Sequence, residues 1–161
     1  MTDCILTRHS TREFKENSLT EAEISQLIAA FQAAPCGMNQ TDVMQGIVIK
    51  DKKITNEIDS ITSNSCYHAP VLFLINTKTT SEFGVRDASV AAENIMIEAN
   101  SLNIGSVYIL SAAQRINQSK QLREELKISK DFKCQVVVCL GYSAEDKEVP
   151  TKRNRYQVKV F

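Results

Sequence analysis

Five consecutive residues near the start, Arg8-His9-Ser10-Thr11-Arg12, bring together two guanidinium groups, an imidazole and two hydroxyls. An arginine is planar and permanently charged, so it grips phosphate oxygens two at a time. A serine hydroxyl adds a neutral donor. A second basic run lies at the far end, where Lys147, Lys152, Arg153, Arg155 and Lys159 stand against one acid, Glu148. Two basic clusters in a chain without net charge can converge on one anion; solvated surface charge is the other reading of both. A third stretch, Pro35-Cys36-Gly37-Met38-Asn39-Gln40, combines glycine freedom with amides that donate and accept. It suits a polar ring or a polyol chain, or else an ordinary helix-to-strand turn. Cys36 is a poor candidate nucleophile, because it follows a helix C-terminus, where the dipole disfavours a thiolate. His68, in Tyr67-His68-Ala69-Pro70, reads as structural before catalytic. With two histidines and no G-x-S-x-G, a hydrolase triad has little support.

The elements that must position these groups fit one domain over residues 1–161. Apolar residues are 43% and charged residues 24%, which are globular values, and no linker or repeat divides the chain. Lys+Arg and Asp+Glu are 19 each, which argues against a nucleic-acid partner. No apolar run approaches the roughly 18 residues that span a bilayer, and the first residues lack the order of a signal peptide. Five cysteines without C-x-x-C or a Cys/His cluster suit reduced thiols, and a cytoplasmic location is expected.

Thr20 and Glu23 have capping-box spacing, and Ile24, Leu27, Ile28 and Phe31 follow at helical intervals; a helix is predicted over 20–34, stopped by Pro35. A strand is predicted over 45–50 and a helix over 51–63. Residues 69–76 (APVLFLIN) are continuously apolar, as a central strand buried on both faces would be. The longest helix is predicted over 86–103, with Ala88, Ala91, Ala92 and Ala99 permitting close packing, and Asn103 and Gly105 suit its stop. Strands over 107–110 and 135–142 flank a helix over 114–127, and the alternating residues 156–161 suit a terminal or edge strand. This order gives a three-layer sandwich of helices and sheet. A dinucleotide fold is poorly supported, since no G-x-G-x-x-G occurs.

Taken in order, these pieces resemble the FMN-dependent nitroreductase family over almost the whole chain. Residues 8–14 (RHSTREF) are similar to its opening Arg-x-Ser-x-Arg/Lys-x-Phe element, and 34–39 (APCGMN) to its Ala-Pro-Ser-x-x-Asn loop. Tyr67-x-Ala69-Pro70 with residues 71–74 resembles its central strand, and 87–94 its long dimer helix. Leu102-x-Ile104-Gly105-Ser106-Val107 resembles the strand behind the flavin, and Leu140-Gly141-Tyr142 followed by Lys152-Arg153 the closing strand and its phosphate-binding basic residues. The chain departs from the family pattern at Cys36, at Thr41-Asp42-Val43, at Glu93 and in the short stretch 77–86.

The resemblance implies an α+β fold: a three-layer sandwich with a mixed, mostly antiparallel sheet flanked by helices, in an intertwined homodimer whose tails add a strand to the partner's sheet. It implies FMN at the dimer interface, with Arg8, His9, Ser10, Arg12 and Arg153 on its phosphate and ribityl end. Pro35, Cys36, Gly37 and Asn39 would reach the flavin from the other subunit, and backbone groups near Leu110 and Ser111 would face its N5 edge. The implied activity is ping-pong reduction of small acceptors, nitroaromatic or quinone-like, by NAD(P)H, with the chemistry carried by FMN and no protein nucleophile or metal. Different flavin chemistry on the same scaffold, or a non-enzymatic flavin-binding sensor, are the alternatives.

Overall fold

The computed structural model describes residues 3–146 and 155–161. Helix α1 is Cys4–Thr7 and α2 is Glu21–Gln32; two 3-10 turns, Gly37–Asn39 and Thr41–Val43, lead to strand β1, Met44–Ile49. Then follow α3 (Lys52–Ile61), β2 (Val71–Lys78), α4 (Gly84–Ser101), β3 (Gly105–Ile109), α5 (Leu110–Gln118), α6 (Lys120–Glu125) and β4 (Phe132–Gly141).

The four strands lie in the order β1-β2-β4-β3, and every neighbouring pair is antiparallel. The sheet is thus less mixed than expected; among the described residues, parallel pairing occurs at the isolated bridge Ser10↔Ser106. Central β2 is buried from Val71 to Thr77. Alternation along it makes two cores: Val71, Phe73 and Ile75 face α2 and α4, while Leu72 and Leu74 face α3 and α5. That is a three-layer α+β sandwich.

Helix α2 begins as its spacing predicts. Thr20 Oγ1 accepts from the Glu23 N–H at 3.2 Å, and Glu23 Oε2 accepts from the Thr20 N–H at 2.7 Å. Helix α4 stops in a Schellman turn: Asn103 has φ 59°, and the Ile104 N–H donates to Ala99 O at 2.8 Å. Its alanines Ala88, Ala91, Ala92 and Ala99 are all fully buried, which lets α2 and the sheet approach closely.

Two elements differ from their expected form within this single chain. The helix predicted over 114–127 is two helices, starting at Leu110 and broken at Ser119, whose hydroxyl caps α6. The cause is tertiary: the Asn117 side chain is clamped to the β4 backbone, donating to Cys134 O at 2.7 Å and accepting from its N–H at 2.9 Å. The strand expected over 156–161 pairs with none of the described residues, and Tyr156, Val158, Val160 and Phe161 are exposed. Alternation gives a segment a strand's two faces, but a strand also needs an edge to pair with.

Candidate functional site

The N-terminal segment is fastened at both ends. Asp3 caps α1 by accepting from the Ile5 N–H, and Asn100 of α4 donates to Cys4 O at 3.0 Å and Thr7 Oγ1 at 2.7 Å. Past α1 the chain lies along the start of β3. The Thr11 N–H donates to Ser106 O at 3.0 Å, and the Thr11 side chain is 1% exposed over Gly105. A Cβ on Gly105 would fall 2.7 Å from Thr11 Oγ1, so the segment fits there because position 105 lacks one. Burying Thr11 turns the residues on either side outward, since side chains alternate along extended backbone. Ser10 is half-buried and Arg12 exposed, with the Arg12 N–H donating to Glu145 Oε1 at 2.8 Å. Arg8, in step with Ser10, is half-buried against α4 and forms an ion pair with Glu93, Nε to Oε1 3.2 Å. His9 sits apart, with Nδ1 3.3 Å from Thr7 O.

Strand β3 runs from this cluster directly into α5. At about 3.3 Å per residue, Ser106 and Leu110 are roughly 13 Å apart. No side chain caps α5, whose N-cap is Ile109. The first N–H groups of the helix, at Leu110 and Ser111, therefore lie without a side-chain cap at its positive dipole end. Leu110 is exposed, and Ser111 Oγ donates to Ser65 Oγ at 3.2 Å.

The loop 35–40 is built differently. The Gly37 N–H donates to Asp87 Oδ1 at 3.0 Å, and the Phe83 ring covers Gly37 so closely that a Cβ there would meet it at 2.3 Å. Met38 and Asn39 both take φ 54°, a conformation that disfavours β-branched residues, and both project into solvent. Cys36 is half-buried and lines a cavity of about 260 Å³ with Phe31, Ala34, Thr41 and Met44. Asp42 pairs with Lys78, whose ammonium holds that carboxyl below its usual range. Within one chain this loop and Arg8 hold to different residues of α4. Asp87 and Glu93, their respective anchors on α4, lie six residues apart on different faces of the helix. Arg153, with Lys147 and Lys152, lies outside the described residues.

His68 is held by a carboxylate that the sequence reading passed over. Asp59, 2% exposed, accepts from the N–H groups of Cys66 and His68 at 2.9 Å each, and its Oδ2 is 2.8 Å from His68 Nδ1. This clamp holds a loop in which Ser63, Asn64, Tyr67 and His68 all have positive φ. Asp59, Asp87 and Glu145 were missed because each accepts from backbone N–H groups distant in sequence. Only Glu93 left a signal, as one of the departures from the resembling pattern.

Known proteins resemble this chain in sequence and in fold. A protein of Archaeoglobus fulgidus, provisionally named NADH dehydrogenase/NAD(P)H nitroreductase, is 28% identical over 94% of this chain and 90% of its own length. The NADPH-flavin oxidoreductase of Vibrio harveyi is 24% identical over 91% of this chain and 67% of its own. A nitroreductase of Bacteroides fragilis, solved with bound FMN, superposes with a TM-score of 0.87 over 98% of this chain and 96% of that one, at 19% identity. The sequence profile of the nitroreductase family matches residues 5–65 and 42–142, spanning both the Arg8–Arg12 segment and the β3–α5 junction, and the chain belongs to that family.

Proposed function

We propose that this protein is an FMN-dependent NAD(P)H oxidoreductase that reduces small electron acceptors, nitroaromatic or quinone-like. The observation that carries the reading is the β3 platform. A guanidinium and a hydroxyl stand side by side at its start, and an uncapped helix N-terminus stands about 13 Å along it. The donor set fits a flavin mononucleotide, which has an anionic end, a polyol chain and a ring edge rich in acceptors. Family relatives solved with bound FMN support the same cofactor.

Bound FMN supplies the redox chemistry: a hydride taken from the nicotinamide and electrons passed to the acceptor in a second half-cycle. The chain's own residues bind and orient. Arg8, Ser10 and Arg12 give charge-assisted and neutral hydrogen bonds to the phosphate and ribityl oxygens, with Arg153 as a further phosphate ligand. The N–H groups of Leu110 and Ser111 donate toward the ring's polar edge, where the helix dipole favours added negative charge. His9 borders the ribityl end.

The other side of the ring falls to a second copy of the chain. Pro35, Cys36, Gly37 and Asn39 lie away from Arg8 within one chain, on a loop whose tip points into solvent. A homodimer is further supported by the apolar residues left uncovered on α4, Val85 at 64% and Val90 at 42% exposure, and by the bare alternating tail. A molar mass for one chain by light scattering, at micromolar concentration, would refute this arrangement.

The deciding experiment is a visible spectrum of the purified protein before and after anaerobic NADH or NADPH. Flavin bands that bleach are expected. Bands that persist with both donors would turn the reading to a flavin-binding protein without this activity, and a colourless protein that takes up no added FMN would end it. Arg12→Ala is expected to weaken FMN binding by roughly tenfold or more, as loss of a charge-assisted bond worth about 1.5–3 kcal/mol requires.

A further inference from the structure

Lys50 and Lys52 flank the turn that leaves β1, and His68 lies on the loop that enters β2. All three line one cavity of about 240 Å³, together with Ser18 of the N-terminal segment and Asn56 of α3. Buried Thr55 and Ala69 line it as well, so the cavity reaches below the surface. The buried Asp59 carboxylate forms an ion pair with His68 through Nδ1, while the His68 side chain is 72% exposed. Lys50 is paired with Glu21. Lys52 Nζ, Ser18 Oγ, the Asn56 amide and His68 Nε2 have no partner among the described residues. The acid that lines the cavity is Glu16. Two ammonium groups two residues apart repel each other, and an anion between them relieves that repulsion. Hydroxyl and amide donors from two further elements suit an oxyanion with several oxygens to share.

We propose that this cavity is a second ligand site, which takes the phosphoryl group of a small phosphorylated metabolite. Lys52 is its principal charge, with Ser18 and Asn56 as neutral donors and His68 Nε2 as a further donor when the ring is protonated. Lys50 adds positive charge, and Glu16 opposes it. The site is separate from the segment read as the cofactor's. Strands β1 and β3 are opposite edges of the sheet, three strand spacings or about 14 Å apart. The proposal therefore stands whether or not the flavin reading holds.

The chain has two histidines, so ring C–H signals in proton NMR report separately on the two places, His9 on the N-terminal segment and His68 on this cavity. Inorganic phosphate is titrated into the protein with one equivalent of FMN, at about pH 6 and constant ionic strength. The His68 signals are expected to move and to saturate at roughly millimolar phosphate, while those of His9 stay. Lys52→Ala should weaken phosphate binding by roughly fivefold or more, through loss of a charge-assisted bond. Glu16→Gln removes the opposing charge and should strengthen it about two- to threefold. Both residues are exposed, so neither change should disturb folding. Acetate, with two oxygens in place of four, should bind more weakly than phosphate. His68 signals that show no saturation up to about 50 mM phosphate, an unchanged affinity in Lys52→Ala, acetate as tight as phosphate, or His9 moving in step with His68 would each overturn the proposal. A chain that takes up no FMN would end the flavin reading alone, and the His68 titration would still decide this one.

Discussion

The two segments assigned to the cofactor are held in opposite ways. Residues 8–12 are laid onto a strand: a backbone hydrogen bond joins Thr11 to Ser106, a buried side chain fills the space over Gly105, and α1 is pinned to α4. Residues 36–39 hang from one N–H bond to Asp87 and one ring contact with Phe83, with two left-handed residues at an exposed tip. The first arrangement is complete within a single chain. The second presents a shaped edge outward and finishes nothing by itself. In the proposed dimer, one half of the site would be set by folding and the other half when a second copy arrives.

If the first segment is set by folding, it should be the costlier to disturb. Gly105→Ala places a methyl against Thr11, whose branched side chain is fully buried and has no room to turn. A loss of about 2 kcal/mol in urea unfolding is expected, together with weaker FMN binding as the segment lifts from β3. A fully stable Gly105→Ala protein would mean that Thr11 is not the lock. Asp87→Ala is the matching change under the loop. It leaves the Gly37 N–H without its acceptor, and about 1–2 kcal/mol is expected. The loss should come with faster amide exchange confined to residues 37–40. Exchange that rises equally at residues 10–12 would erase the contrast.

Legibility in the sequence follows the same division between local and distant causes. The capping box of α2, the apolar run of β2 and the alanine face of α4 are local patterns, and each element forms within two residues of its expected bounds or nearly so. The Arg8–Arg12 cluster that the proposed site uses is a local pattern too. What escaped is what tertiary contact decides. Asn117 breaks a helix by bonding to β4, Thr11 works only because residue 105 has no Cβ, and Asp59 gathers a loop by its N–H groups. The tail over 156–161 shows a strand's alternation, yet a strand forms only where another edge receives it.

A third fastening links the anchored segment to α2. The Lys15 N–H donates to Tyr142 O at 2.8 Å, and the Tyr142 hydroxyl donates to both Glu23 oxygens, at 2.9 and 2.8 Å. The Thr20 N–H, then the Thr20 hydroxyl, hold the Glu23 carboxyl below its usual range, with Tyr142 adding to them. A carboxyl lowered on folding stabilises above its unfolded value, about pH 4.3, and loses that contribution as pH falls through the folded value. Glu23→Ala should therefore cost about 1 kcal/mol at pH 7, and the gap to the wild type should close below about pH 4. A gap that stays constant from pH 7 to pH 3 would show that packing, not the carboxylate, makes the difference.

The smallest perturbation reads the contrast without changing stability. Cys36 belongs to the outward loop and is half-buried, as is Cys4 on α1, whereas Cys66, Cys134 and Cys139 are buried in the sheet's core. Burial pushes the Cys134 thiol up to about 12, and burial likewise raises Cys139. Cys66 is pulled down by its hydrogen bond with Cys139 but remains closed to solvent. Reaction with a thiolate needs both the anion and access, so a disulfide reagent at pH 8 should label Cys4 and Cys36 quickly and the other three only on unfolding. Added FMN should then slow Cys36 and leave Cys4 unchanged if, as proposed, a second copy brings the Cys36 loop to the ring. Protection of both or of neither would place the loop outside the cofactor site and leave the anchored segment to hold the flavin by itself.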